Sequence, residues 1–392
     1  MGKVKFILFC IIVLSSTSIV TGCWNYREIE SLAIVAGTAV DKGVNSRYKL
    51  TVEIVRITGG RDSKPESKLI TTEGNTVFDC ARNAITISGK KLYWSHNKFL
   101  IISKDIAREG VVDLIDWFNR DAETRANIHL FVSTEKTAAE ILIGEQITEP
   151  ILSFELDNML KNEDELSKAP RSEIETFGNN MRGQGISASV ATIKMKATEK
   201  GKTPGIGGTA LFSGDKLVGF LNEEETKDLL FVKDEIKGGL LTQEVQTKQK
   251  DSKNQKTYKF PIAYEIFKSK TKLKPKFNDN NISFDLQIET VVSLAELGGS
   301  IDLVSEAGSK ELAKITEASC ERQIENTIKK VQQEYGVDVF GFGKKIHEDH
   351  NKIWKKVKNN WEEYFKRAKV NVSVKLDVKG SSMLSKPLEV GR

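Results

Sequence analysis

The longest uninterrupted apolar stretch of this chain is short. Phe6 to Leu14 follows the positive start of Lys3 and Lys5 and gives way to Ser15, Ser16, Thr17 and Ser18. Crossing bilayer hydrocarbon takes about 20 apolar residues, so the pattern is that of a secretion signal and not of a membrane span. No second apolar stretch of about 20 residues follows. Everything beyond the signal is therefore expected to fold in water, outside the cytoplasm. At roughly 150 residues per domain, 392 residues make two or three domains. With 39% hydrophobic and 29% charged residues and only 7 Pro, collagen-like, low-complexity and wholly disordered chains are excluded.

The signal ends in Val20-Thr21-Gly22-Cys23, which resembles the lipobox of bacterial lipoproteins. Signal peptidase II would cut after Gly22, where a small residue admits the peptidase, and the Cys23 thiolate would take up a diacylglyceryl group before N-acylation. Several acyl chains on one residue make a stable anchor, since each buried methylene adds about 0.8 kcal/mol. The other cysteines, Cys10, Cys80 and Cys320, have neither the number for a disulfide scaffold nor the CxxC spacing of structural zinc sites. The net charge of +5 is too small for a nucleic-acid binder's stripe.

Along the mature chain, Ser31 to Val40 is an apolar strand, Asp41-Lys42-Gly43 a turn, and Tyr48, Leu50, Val52 and Ile54 alternate with polar residues as a hairpin partner would. Residues 59–74 read as loop. Thr76 caps a helix with Val77, Cys80, Ala81 and Ala84 on one side. Strand Phe99–Ser103, helix Lys104–Asn119, strand Ile128–Ser133 and helix Thr137–Ile143 follow in alternation. This predicts an α/β (α+β) fold with helices packed on mixed strands. A polar region from Asn162 to Gly185 precedes a strand at Ala188–Ala197 that closes the first domain, and Glu199 to Gly208 reads as a linker.

After it, Thr209–Phe212 and Lys216–Leu221 form a second hairpin, with Asn222 capping the next helix. Lys248 to Lys276 holds ten Lys against Asp251 and Glu265; a solvated sheet face is the simpler reading beside an anion-binding patch. Ile282–Ala295 is a strand, Ser309 to Tyr335 a long amphipathic helix, Lys344–Ala368 a second one, and Val370–Val378 a closing strand. The expected division is a signal peptide at 1–22, an N-terminal α/β domain at 23–200, a middle domain with hairpin and Lys-rich stretch at 207–276, and a C-terminal domain at 277–383.

Ordered motifs stand along the mature chain: Gly22-Cys23-Trp24-Asn25-Tyr26-Arg27-Glu28, Gly37-Thr38-Ala39-Val40-Asp41, Glu73-Gly74-Asn75-Thr76, Leu92-Tyr93-Trp94-Ser95-His96-Asn97-Lys98 and Phe118-Asn119-Arg120-Asp121. The second half adds Leu217-Val218-Gly219-Phe220, Asp338-Val339-Phe340-Gly341-Phe342-Gly343, Trp354, Trp361 and Val370-Asn371-Val372. In this order they resemble the Ger(x)C family, lipoprotein C subunits of nutrient germinant receptors of spore-forming bacteria. Residues 240–276 depart from the pattern. The resemblance implies several α/β domains of unusual topology in a non-enzymatic subunit on the outer face of the spore inner membrane. It also implies assembly with integral-membrane A and B subunits, anchorage in lipid through Cys23, and a part in the germination response. It does not say whether this subunit binds a germinant.

The residues themselves offer little chemistry. His347-Glu348-Asp349-His350 lacks the i,i+4 spacing and third ligand of zinc-hydrolase helices and reads as a solvated helix face. Cys80 with His96 lacks an orienting carboxylate. Glycines 201, 205, 207 and 208 match neither GxGxxG nor a phosphate loop. Trp354 and Trp361, two helical turns apart, read as core packing before ligand stacking, and acid pairs such as Asp113 with Asp116 or Glu362 with Glu363 carry no catalytic signature. No catalytic residue, metal ligand, cofactor or nucleic-acid partner is expected. The alternative to a receptor subunit is a lipoprotein solute-binding protein, whose two lobes clamp a small ligand.

Overall fold

Phe99-Leu100-Ile101-Ile102 is apolar at every position because both of its faces are covered: Phe99 and Ile101 enter one core cluster, Leu100 and Ile102 another. This strand lies near the middle of a large mixed sheet. The computed structural model of the protein describes residues 2–9, 28–57, 65–251, 254–278, 281–298 and 306–379, with the backbone alone at 246–251, 254–258 and 306–307. Gly22, Cys23, the end of the signal segment, residues 58–64 and the tail from Gly380 lie outside the described residues. Residues 2–9 are helical, with Val4, Phe6, Ile7, Leu8 and Phe9 exposed. No helix among the described residues is long and apolar enough to cross a membrane.

The elements run β1 (Leu32–Lys42), β2 (Tyr48–Ile57), β3 (Pro65–Gly74), α1 (Val77–Ser88), β4 (Lys91–Tyr93), β5 (Phe99–Ile102), α2 (Lys104–Glu109), α3 (Val112–Arg120), β6 (His129–Ser133), α4 (Ala139–Leu142), α5 (Leu152–Lys161) and α6 (Ile174–Arg182). Then come β7 (Ser189–Ala197), β8 (Lys202–Ser213), β9 (Lys216–Leu221), α7 (Glu223–Val232), β10 (Leu240–Asp251), β11 (Asn254–Asn278), β12 (Asn281–Leu297), α8 (Glu306–Lys330), α9 (Phe342–Asp349), α10 (Asn351–Val357), α11 (Trp361–Arg367) and β13 (Lys369–Val378).

Among the described residues, nine strands form the first sheet in the order β3-β2-β1-β5-β6-β7-β8-β9, with β4 beside the start of β1. Its centre is parallel from β1 through β7 and its flanks are antiparallel. The second sheet runs β10-β11-β12-β13, with β13 parallel to β12. The fold class is thus α/β (α+β), as expected. The predicted hairpin pairs Val40 with Leu50, Thr76 accepts the Asp79 N–H at the start of α1, and Asn222 with Glu225 forms a full capping box on α7.

Several expectations are corrected. Residues 65–74, read as loop, are an edge strand paired along β2, which the polar Pro65-Glu66-Ser67-Lys68 start had masked. The linker read at 199–208 is a short turn and the first half of β8, where Thr203 to Gly208 are buried and pair with β7. Small residues that look like turn formers here build a strand covered on both faces. After Ala188–Ala197 the sheet continues through β8 and β9. The boundary drawn between 276 and 277 falls at the tip of the β11–β12 hairpin, inside one ladder from Ile262↔Leu297 to Asn278↔Asn281. One core cluster joins β10–β13 with α7–α11.

The helices expected at Lys104–Asn119 and Lys344–Ala368 are also broken. The first divides at Gly110, where the Val111 N–H bonds the Asp215 carbonyl. The second divides at His350 and again at Lys358–Asn360, giving α9, α10 and α11.

Candidate functional site

One of the contacts between the parts of the chain that carry the two sheets is made where the loop after α6, Gly183 to Ser187, enters the Asp338–Gly343 turn. Asp338 is buried (3% exposed), and its carboxylate is the hub of the turn. Oδ1 accepts the N–H of Gly341 (2.9 Å) and Phe342 (3.1 Å); Oδ2 accepts the N–H of Gly343 (2.7 Å) and the Trp361 indole N–H (3.0 Å). The Asp338 carbonyl accepts from Ser187 N–H, and the Gly185 carbonyl accepts from Lys344 N–H, both at 2.7 Å. Gly185, at φ +73°, lies so close that a side chain on Gly343 would put Cβ 2.8 Å from the Gly185 Cα and 2.6 Å from the Trp361 ring. Both glycines are therefore dictated by the contact of backbone with backbone.

Trp354 closes the other side, its indole N–H donating to Gln184 Oε1 at 3.0 Å. On one straight helix Trp354 and Trp361 would lie about 10 Å apart along the axis; the break between α10 and α11 brings their ring centroids to 5.6 Å, edge to face. They are core residues, as the sequence suggested, and also hydrogen-bond donors to two different segments. Two clefts flank the clamp. One, about 450 Å³, lies between α6 and α9 and is lined by Arg171, Phe177, Asp234, Leu273 and Lys345. The other, about 530 Å³, lies beneath Gln184, Trp354, Asn360 and Trp361.

Burial pushes the Asp338 carboxyl up to about 6, against the pull of its N–H donors. Burial likewise pushes Asp228 up to about 7, opposed by the Thr327 hydroxyl, which donates to it at 2.6 Å across the α7–α8 contact. Both shifts are upward, so the folded chain holds these protons more tightly than the unfolded one. Their stabilisation is complete below the ordinary carboxylate range and is lost as pH rises through about 6 and about 7. Asp228→Asn keeps a carbonyl for Thr327 but cannot ionise. It is expected to cut the stability lost between pH 5 and pH 8 by about 2–3 kcal/mol, read by urea unfolding at each pH. An unchanged pH slope would contradict this.

Other buried carboxylates serve as backbone acceptors. Asp41, ending β1, accepts the N–H of Ala138 (2.6 Å) and Ala139 (3.0 Å) at the start of α4. Glu53 of β2 accepts the N–H of Leu152 (3.1 Å) and Ser153 (2.8 Å) at the start of α5. Sequence reasoning set such acids aside; they are the fixings that hold short helices to the sheet.

The remaining candidates are dispersed. Cys80 donates to the Tyr48 carbonyl (3.7 Å), and burial pushes its thiol up to about 11. His96 instead faces Tyr93 and, with Asn97, Lys98, His129 and Asp157, lines a polar cavity of about 70 Å³. Asn97 Nδ2 and His129 Nδ1 have no partner there among the described residues, and the space suits a water or two. His347 packs toward Trp354 and His350 edges onto Phe277, so the two imidazoles go to different aromatic neighbours. No group of three or more metal-ligating side chains occurs among the described residues. Asp113 and Asp116 pair with Arg47 and Arg120 respectively.

The described residues thus make a mixed α/β chain in two sheets, with a hydrogen-bonded turn at Asp338 and the sequence-marked side chains dispersed. The spore germination protein N-terminal domain family matches residues 25–195, and the spore germination B3/GerAC-like C-terminal family matches residues 207–382. The chain belongs to the Ger(x)C family of spore germination proteins. It is 28% identical to spore germination protein B3 of Bacillus subtilis (strain 168), covering 91% of this chain and 93% of that one. It is 26% identical to spore germination protein YndF of the same organism, covering 92% and 93%. The crystal structure of the GerBC protein has the same fold, with a TM-score of 0.55 at 23% identity over 87% of this chain and 96% of that one.

Proposed function

We propose that this protein is the lipid-anchored, non-enzymatic C subunit of a nutrient germinant receptor, tethered through Cys23 to the outer face of the spore inner membrane and assembled there with integral-membrane A and B subunits. The observation that carries this reading is similarity to spore germination proteins over more than nine-tenths of the chain, together with the lipobox that heads it. The mechanism is placement. A tether raises the local concentration of the folded part, so that weak contacts with membrane partners become effectively intramolecular. The clamp at Asp338 then keeps the two sheets in one orientation, so that contacts on both are made together. Solubilised spore membranes carrying an affinity-tagged form of the protein are expected to yield two polytopic membrane proteins with it. Recovery with a transport permease and ATPase instead would overturn the assignment in favour of a solute-binding lipoprotein.

A further inference from the structure

One face of the second sheet is covered by α8–α11; the other is bare. On β11, Thr271, Leu273 and Phe277 turn toward the helices, while Lys268, Lys270, Lys272, Lys274 and Lys276 are exposed on the opposite side. Pairing extends this row across the sheet. Lys276 lies level with Ser283 and Lys369, Lys274 with Asp285 and Asn371, Lys272 with Gln287 and Ser373, Lys270 with Glu289 and Lys375, and Lys268 with Val291 and Asp377. Lys369 and Lys375 sit almost 100 positions further along the sequence, so the cationic face is assembled by β13 and could not be read from the Lys-rich stretch alone.

The acids do not neutralise it. Lys270 pairs with Asp234 and Lys276 with Asp285, and Lys379 takes Asp377 at 2.7 Å. The side chains of Lys268, Lys272, Lys274, Lys369 and Lys375 form no ion pair or hydrogen bond among the described residues, against Glu289 as the remaining acid of these five rows; Glu265 and Glu296 lie beyond them, toward the other end of the hairpin. A protein partner of ordinary kind needs aromatic or aliphatic anchors at the centre of its site; Val291 is the one apolar side chain in the five rows above, and the exposed Phe267 sits in the bulge at their end, not at their centre. A flat, anionic bilayer surface needs only the field. Eight residues lie between Cys23 and Leu32, a reach of at most about 30 Å. A lipid at Cys23 thus confines the folded part to the neighbourhood of the bilayer, where a cationic face meets the headgroups at high local concentration.

We infer that the open face of the second sheet is a membrane-contact surface that lies against anionic headgroups and fixes which side of the protein faces the bilayer. The inference rests on the anchored-subunit reading, but its test does not need the lipid. The full mature chain carrying Cys23→Ser, made without acylation, is sedimented with phosphatidylcholine vesicles and with vesicles containing phosphatidylglycerol. It is expected to bind the anionic vesicles alone, with affinity falling as salt is raised. A Lys272→Glu/Lys274→Glu/Lys369→Glu chain is expected to bind about tenfold or more weakly. Lys136→Glu/Lys200→Glu/Lys216→Glu, the same charge change on exposed lysines of the first sheet's region, is expected to have a much smaller effect. No binding to anionic vesicles, or equal loss in both triple variants, overturns the inference. So does binding to polyglutamate without binding to anionic vesicles, which transfers the face to an acidic protein partner.

Discussion

A Cys23→Ala protein is expected to leave the membrane fraction of spores and to lose most of the nutrient germination response, while folding as the wild type does. The reasoning is about area and concentration. The anchored-subunit proposal assigns membrane residence to the lipid at Cys23, and no helix among the described residues is long and apolar enough to cross a bilayer. One acyl chain holds a protein only marginally, whereas several together hold it stably. Removing the thiol removes all of them. On the placement reading the fold does not depend on Cys23, so urea unfolding of the released protein should match that of the wild type. Weak contacts with membrane partners, effectively intramolecular when the protein is tethered, become bimolecular at the low concentration of a free protein. Fractionation followed by quantitation of the protein is the check, and a Cys23→Ala chain that stays membrane-bound contradicts the assignment of the anchor.

The second large effect is expected at the clamp. Asp338→Ala strips the acceptor from three backbone N–H groups and the Trp361 indole, all held by one carboxylate. A buried donor left without a partner costs about 1–3 kcal/mol. Even with water entering the flanking cleft, a total loss of at least about 3 kcal/mol is expected, a large share of the 5–15 kcal/mol that holds a typical domain together. Asp338→Asn, which keeps one oxygen, should lose less. Gly343→Ala tests the same contact by crowding: the added methyl meets the Trp361 ring at 2.6 Å and the Gly185 Cα at 2.8 Å. Overpacking of that kind costs about 1–3 kcal/mol. Denaturant unfolding gives the stabilities, and protease cleavage within Gly183–Ser187 reports whether the loop has come out of the turn. Asp338→Ala with wild-type stability would show that the turn does not hold the sheets.

The particular residues show what could be read in advance. Alternation and caps are local, and the β1–β2 hairpin, Thr76, Asn222 and the closing strand at Lys369–Val378 came out where period and side-chain chemistry put them. The family motifs marked Asp338-Val339-Phe340-Gly341-Phe342-Gly343 and the two tryptophans as a set without saying why. Their meaning lies in Gln184 and Gly185, more than 150 positions upstream. Asp41 with Ala138, and Glu53 with Ser153, span 97 and 100 positions; topology decides such partners, and no spacing encodes them. Thr203 to Gly208 read as a linker because small residues suit turns and two-sided burial equally well. The break at Lys358–Asn360 carries no Pro or Gly to announce it, and lies between two indoles that reach different acceptors.

The central claim is that the lipid acts by placement and does nothing else. The most direct test is to give the Cys23→Ala chain a different tether, an N-terminal transmembrane helix joined ahead of residue 24, and to measure nutrient germination of the spores. If placement is the whole contribution, germination returns to near the wild-type rate while the untethered Cys23→Ala chain remains defective. If the helix-tethered protein reaches the same membrane at the same level and germination stays lost, the acylated Cys23 has a role of its own and the account is wrong.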